Sequence, residues 1–148
     1  MSYTSLFYHI VFSTKQRRPL LSEELLSRMI RYIGGIIRNM DSQLLEGGGI
    51  EDHLHLAATV HPNSALADFV RTVKANSSRW IHKTFPEIGA FAWQDGYAAF
   101  TVSLSMVSRV KEYIGSQREH HKTMSFAEEL VALLRKHRIH YDERHIGI

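Results

Sequence analysis

His53 and His55 flank a single leucine in "GGGIEDHLHLAAT", residues 47–59, a stretch whose composition is otherwise that of a β-strand. Side chains alternate across a strand, so imidazoles at positions i and i+2 leave by one face while Leu54 and Leu56 leave by the other. Two nitrogen lone pairs a few ångströms apart suit a divalent cation that a single ligand would hold too weakly. Taken alone, the pair more often describes two surface histidines on a half-exposed strand. A second group lies in "VKEYIGSQREHH", residues 110–121, where Tyr113 and Gln117 stand four apart. On a helix that spacing puts one side chain above the other. With Val110 and Ile114 on the core stripe, Tyr113, Gln117 and His120 share the adjacent flank. A helix lying beside the histidine strand would bring a phenol and an amide oxygen to the imidazoles. Any metal must be held by nitrogen and oxygen, because the chain has no cysteine. His120 is placed to shuttle a proton, but in a chain with ten histidines position alone assigns it no role.

The elements that must position these groups read as follows. "SLFYHIVFS" (5–13) is apolar on both faces and rich in β-branched and aromatic residues, which predicts a central strand covered on both sides. Ser22 can cap a helix whose first turn holds Glu23 and Glu24, with Leu26, Met29, Ile33, Ile36, Ile37 and Met40 at helical spacing. "DSQLLEGGGIEDHLHLAATV" predicts two strands joined near Glu51 and Asp52, its glycines permitting a bend or a close backbone approach. No Gly-Lys-Ser/Thr follows the glycines, so a nucleotide triphosphate site is not expected. A second helix, about 64–84, carries Leu66, Phe69, Val70, Val73 and Trp80 on one stripe and Arg71, Lys74, Arg79 and Lys83 on the other side. "FAWQDGYAAFTVS" predicts strand, turn and strand about Asp95-Gly96, and a third helix follows over about 105–120. Ser125 and Glu128 form a capping-box pattern that opens the last helix. This order predicts an α+β, ferredoxin-like (split β-α-β) antiparallel sheet with helices on one face and the other face free.

A chain of 148 residues that is 44% hydrophobic fits one domain, 1–148. No apolar run reaches the ~18 residues of a membrane span, and the start lacks the features of a secretion signal, so a cytoplasmic location is expected. A net charge of +3 and a pI near 9.3 are compatible with a polyanionic partner. The basic turn Lys15, Arg17, Arg18 and the helix face Arg71, Lys74, Arg79, Lys83 could hold a nucleic-acid backbone, with Trp93, Tyr97 and Phe100 available to stack bases.

"EDHLHL", then "GYAAFTVS", then "YIGSQREHH", in that order and over nearly the whole chain, resemble the HUH single-tyrosine transposases of the IS200-like insertion-sequence type. The resemblance implies an HUH-endonuclease fold. It implies cleavage and rejoining of single-stranded DNA with hairpin ends, Tyr113 attacking a phosphate to leave a 5′-phosphotyrosine and a free 3′-hydroxyl. It further implies Mg²⁺ or Mn²⁺ on His53, His55 and Gln117, and a homodimer whose composite sites join the histidines of one chain to the tyrosine of the other. The departure is Gly115, between nucleophile and amide, which costs a helix interior about 0.5–1 kcal/mol relative to Ala and marks a soft point. Two other readings use the same residues: a host-adopted nuclease acting at dispersed repeats, and a metal-free ferredoxin-like module that only binds nucleic acid.

Overall fold

Strand β1 (Phe7–Ser13) lies inside a four-stranded antiparallel sheet of order β2-β3-β1-β4, where β2 is Leu44–Ile50, β3 His53–Thr59 and β4 Ala98–Val102. The structure is a computed structural model that describes residues 1–146. Register places Val11 opposite His55 and Ser13 opposite His53 on one neighbour, and His9 opposite Phe100 on the other. Alternation therefore sends His9, Val11, His53 and His55 to one face, and Ile10, Phe12, Leu54 and Leu56 to the reverse.

The reverse face carries the main core. Helix α1 (Glu23–Arg38) starts where Ser22 Oγ accepts the Leu25 N–H at 3.2 Å, with Glu23 and Glu24 complementing the helix dipole in the first turn. Its buried Met29, Ile33 and Ile37, together with Phe69, Val73 and Ile81 of helix α2 (Leu66–Thr84), form one cluster with Ile10, Phe12, Leu54 and Leu56. Each such side chain stabilises the fold by about 1.5–3 kcal/mol.

The face expected to stay free is covered as well. Helix α3 (Val107–Gly115), helix α4 (Gln117–His120) and helix α5 (Phe126–Lys136) contribute the groups that meet the histidines. Val11, Phe100, Phe126 and Leu134 make a second, smaller core there. That face carries apolar Val11 and Phe100 beside three imidazoles, so leaving it open would expose apolar surface and cover nothing.

The helix expected over 105–120 is interrupted. Ser116 has φ −108° and ψ 24°, outside the helical region, and its hydroxyl donates to the Glu112 carbonyl at 2.8 Å. A serine hydroxyl competing for the helix's own acceptors, next to a glycine, is a sufficient cause for the break. Gly115 thus ends α3 rather than sitting inside it. The strand expected around 91–94 shrinks to one bridge, Thr14 to Trp93, and Trp93 is anchored by its indole N–H donating to Ser77 Oγ at 3.0 Å.

The glycine run has a packing reason. Gly48 pairs with His55, and a Cβ there would collide with the backbone carbonyl of Ile114 in α3. A Cβ on Gly47, which faces the other way, would come within 2.7 Å of Ile30 in α1. Only a strand stripped of side chains lets α3 come this close to β2. Among the described residues no helix is long and apolar enough to cross a membrane.

Candidate metal and nucleophile centre

His53 and His55 are fully buried, at 0% exposure each, in the floor that β3 provides beneath α3, α4 and α5. Gln117, the first residue of α4, accepts at Oε1 from His53 Nε2 at 3.1 Å. Glu129 of α5 is 1% exposed and reaches the same point: Oε1 is 2.9 Å from His55 Nε2, 3.3 Å from His53 Nε2 and 3.1 Å from His121 Nε2. Tyr113 Oη donates to the other carboxylate oxygen, Oε2. The sequence-predicted phenol, amide and imidazole pair therefore converge within one chain, about a carboxylate that sequence reasoning missed. Its signal was legible: Glu129 sits on the apolar stripe of α5, between Phe126 and Leu133 at helical spacing.

Partners behind the imidazoles fix their orientation. His53 Nδ1 donates to Asp52 Oδ1 at 2.8 Å, and its ring lies against Phe126 with centroids 4.3 Å apart and planes at 24°. His55 Nδ1 meets Nε2 of the buried His9 at 2.8 Å. Both histidines thus point Nε2 inward and are tied at Nδ1, the usual support of a metal-binding imidazole. His121 is held by Nδ1 donating to the Met124 carbonyl at 2.6 Å. The His120 ring packs on Tyr113 with centroids 4.5 Å apart, and its Nε2 has no hydrogen-bond partner among the described residues.

Charge is distributed unevenly. Burial disfavours charge on His53, but hydrogen bonds to Asp52 and Glu129 outweigh it and raise its pKa to about 9. Burial lowers that of His55, and burial with the neighbouring His55 lowers that of His9 to about 3, so His9 is neutral. For Glu129, burial works toward protonation, yet the bonds from His53, His55 and Tyr113 hold it ionised, well below the usual carboxylate range. Burial and the bond to Glu129 push the Tyr113 phenol above its ordinary value.

The donor set fits a hard or borderline divalent cation. Nε2 of both histidines and a Glu129 oxygen all lie within 4.8 Å of one another. Adjacent ligands around an octahedral cation with ~2.1 Å bonds are about 3 Å apart, close to the 2.9–3.3 Å between each imidazole nitrogen and its carboxylate or amide oxygen. Two nitrogens with oxygens suit Mn²⁺ and are tolerated by Mg²⁺.

Tyr113 and Gln117 belong to separate helices divided at Ser116, not to one, although Gln117 Nε2 still donates to the Tyr113 carbonyl at 3.4 Å. The basic turn borders the centre: the Arg17 guanidinium lies 5.2 Å from the Phe126 ring, with Lys15 and Arg18 exposed beside it. The α2 cations are on the opposite side of the sheet. Arg71 pairs with Asp68 at 2.7 Å, Arg79 donates to Asn76 at 3.1 Å, and Lys83 is exposed. Lys74 is engaged by the carbonyls of Gln94 and Gly96. Of the three aromatics, Trp93 and Phe100 are buried and Tyr97 is exposed.

Residues 2–117 match the family model described as "Transposase IS200 like". The chain is 26% identical over 117 residues to the ISDra2 transposase TnpA of Deinococcus radiodurans, covering 76% of this chain and 84% of that protein. It is 27% identical over 124 residues to the transposase for insertion sequence element IS200 of Salmonella typhimurium, covering 78% of each. A solved transposase structure from Deinococcus radiodurans superposes with a TM-score of 0.65 at 25% identity, over 77% of this chain and 92% of that one. A REP-associated tyrosine transposase bound to a REP hairpin shares the fold, with a TM-score of 0.56 at 14% identity over 77% of this chain and 70% of that one.

Proposed function

Because the chain belongs to the IS200-like transposase family, we propose that it cleaves and rejoins single-stranded DNA through Tyr113, with a divalent cation held by His53, His55 and Gln117 and joined by Glu129. The observation that carries this reading is the meeting of the phenol, both imidazoles and the amide at one buried carboxylate. A non-catalytic binding module has no use for an imidazole–carboxylate cluster that is buried and tied to a phenol, because such a cluster is costly to bury.

When bound, Mg²⁺ or Mn²⁺ polarises the scissile phosphate as a Lewis acid. The protein's residues do the rest. Tyr113 Oη forms the bond to phosphorus as the bond from phosphorus to the 3′-oxygen breaks, leaving a 5′-phosphotyrosine and a 3′-hydroxyl. The phenol's proton ends on that oxygen, and attack by a 3′-hydroxyl on the adduct reverses the step. Glu129 Oε2 fixes the direction of the Tyr113 hydroxyl, while Asp52 and His9 hold the imidazoles so that Nε2 faces the centre. Phe126 and α5 exclude water.

Hairpin-ended single-stranded DNA is the substrate class assigned, supported by the REP hairpin held by a chain of the same fold. Lys15, Arg17 and Arg18 lie where they can hold the strand that reaches the centre. Arg71, Lys74, Arg79 and Lys83 could contact only a more distant part of the DNA, Lys74 at the expense of its carbonyls. A homodimer exchanging α3 is supported by the break at Ser116, which separates the nucleophile's helix from α4. The test is incubation with Mn²⁺ and single-stranded oligonucleotides carrying the DNA that flanks the gene. A covalent adduct should form and be absent in Tyr113→Phe; an adduct that persists in Tyr113→Phe refutes the nucleophile.

A further inference from the structure

A cavity of about 460 Å³ opens between β4, α3 and the C-terminal end of α5, and Tyr113 and His9 belong both to its lining and to the cluster around Glu129. Its volume is in the range of small-molecule sites. One part of the lining is apolar, with Val102, Met106, Val110 and Leu133; another carries Arg109, Lys136 and His137. Arg109 and Lys136 are exposed, and neither makes an ion pair among the described residues. The exposed His137 ring is fixed flat on Phe100, with centroids 4.3 Å apart and planes at 24°, by its Nδ1–H donating to the Leu133 carbonyl at 2.9 Å. Apolar walls, a rigid aromatic plane and two free cations in one recess match the parts of a nucleotide: base, stacking face and phosphate.

We propose that this cavity seats the nucleotide adjoining the scissile phosphate of single-stranded DNA, its base against the apolar wall and His137 and its outer phosphate at Arg109 and Lys136. The proposal rests on the transposase reading for the position of that nucleotide. Because Tyr113 forms part of the lining, an occupied seat sets the distance from the bound strand to the phenol. Base preference next to the cleavage point then resides in the side chains of β4, α3 and α5. This assigns Val102, Arg109, Lys136 and His137 a role in choosing the cleavage site. Two of them, Lys136 and His137, lie beyond residues 2–117, the part of the chain that the family model matches.

The test uses the full-length protein and single-stranded oligonucleotides spanning the DNA on either side of the gene, with one abasic position walked along the strand. Binding is read by fluorescence anisotropy, and adduct formation by denaturing gel in the same samples. In the wild type, one abasic position should weaken binding about tenfold; in Val102→Trp, which fills the cavity, that position should matter less than twofold. The Arg109→Ala/Lys136→Ala pair changes only exposed side chains and should flatten the dependence of log affinity on log salt by about 0.7, as loss of one single-strand phosphate contact requires. An identical abasic profile in wild type and Val102→Trp, with an unchanged salt slope in the double variant, overturns the seat. A Tyr113-dependent adduct alongside that result leaves the transposase reading intact. The expected binding pattern with no adduct on any strand overturns the transposase reading and, with it, the seat's place beside a scissile phosphate, leaving a nucleotide-binding cavity alone.

Discussion

His9 Nε2 lies 2.8 Å from His55 Nδ1, so the central strand β1 orients an imidazole presented by its neighbour β3. With His55 Nε2 directed at Glu129, the tautomer of one ring dictates that of the other: a lone pair offered to a cation by His55 requires its Nδ1–H to donate to His9. Replacement by His9→Phe keeps an aromatic of similar volume and removes the acceptor. Loss of such a supporting contact typically weakens metal binding ~10–100-fold. Mn²⁺ titration followed by electron paramagnetic resonance should show that loss with little change in the circular dichroism spectrum; wild-type affinity would mean His9 only fills space.

Glu129→Gln preserves shape and removes the negative charge. Mn²⁺ affinity of the DNA-free protein should fall ~10-fold or more, as expected when a buried anionic ligand becomes neutral. The His53 ring should also titrate lower, because Glu129 is one of the two carboxylates that raise it. Histidine proton shifts recorded by NMR against pH report the second effect without any metal.

Metal binding should strengthen with pH. His53, raised to about 9, carries a proton at neutral pH that must leave before Nε2 can ligate. Below that value the deprotonated fraction grows about tenfold per pH unit, so apparent Mn²⁺ affinity should rise by up to that factor between pH 7 and pH 8. Stability of the metal-free protein runs the other way. A histidine whose folded pKa is raised contributes stability that is whole below its unfolded value near ~6.5 and is lost as pH climbs through about 9. Urea midpoints at pH 6 and pH 9 should therefore fall without Mn²⁺ and fall less with it.

Gly48→Ala places a methyl against the Ile114 carbonyl, where backbone cannot rotate away. The expected cost is about 1–3 kcal/mol by denaturant titration, the range for overpacking. Adduct formation should drop far more than stability, because α3 carries Tyr113. A variant that loses stability alone would uncouple helix seating from chemistry.

Mixing His55→Ala with Tyr113→Phe separates the two arrangements of the proposed nucleophile. Each variant alone should form no adduct. Recovery in the mixture identifies exchange of α3 between two chains, whereas continued inactivity identifies chemistry completed within one.

Much of this was readable from the residues. Alternation in β3 places both imidazoles together, and helical periodicity gives α1, α2 and α5, the first and last with their serine caps, because a cap and a stripe are local properties. The break at Ser116 was only partly legible: Gly115 marks a soft point there, but helical periodicity continues across it and the hydroxyl bond back to Glu112 shows only in the fold. Glu129 and His9 were missed as site residues for a different reason. Each is one polar residue in an apolar stripe, and which partner satisfies it depends on how distant segments meet. The sheet's second layer of helices follows from the same cause, since an unsatisfied face cannot be recognised before its partners are in place.

Strand β3 is also a partition, greasy behind and ionic in front, and a partition can be hung the wrong way round. Displacing it by a single residue would drive both imidazoles into hydrocarbon and turn Leu54 and Leu56 toward Glu129. The bare glycines of β2 offer no side chains to resist such a slide. The lock must therefore come from the buried leucines behind and the bonded imidazoles in front, and damage to the aliphatic layer should loosen the cluster before it unfolds the molecule.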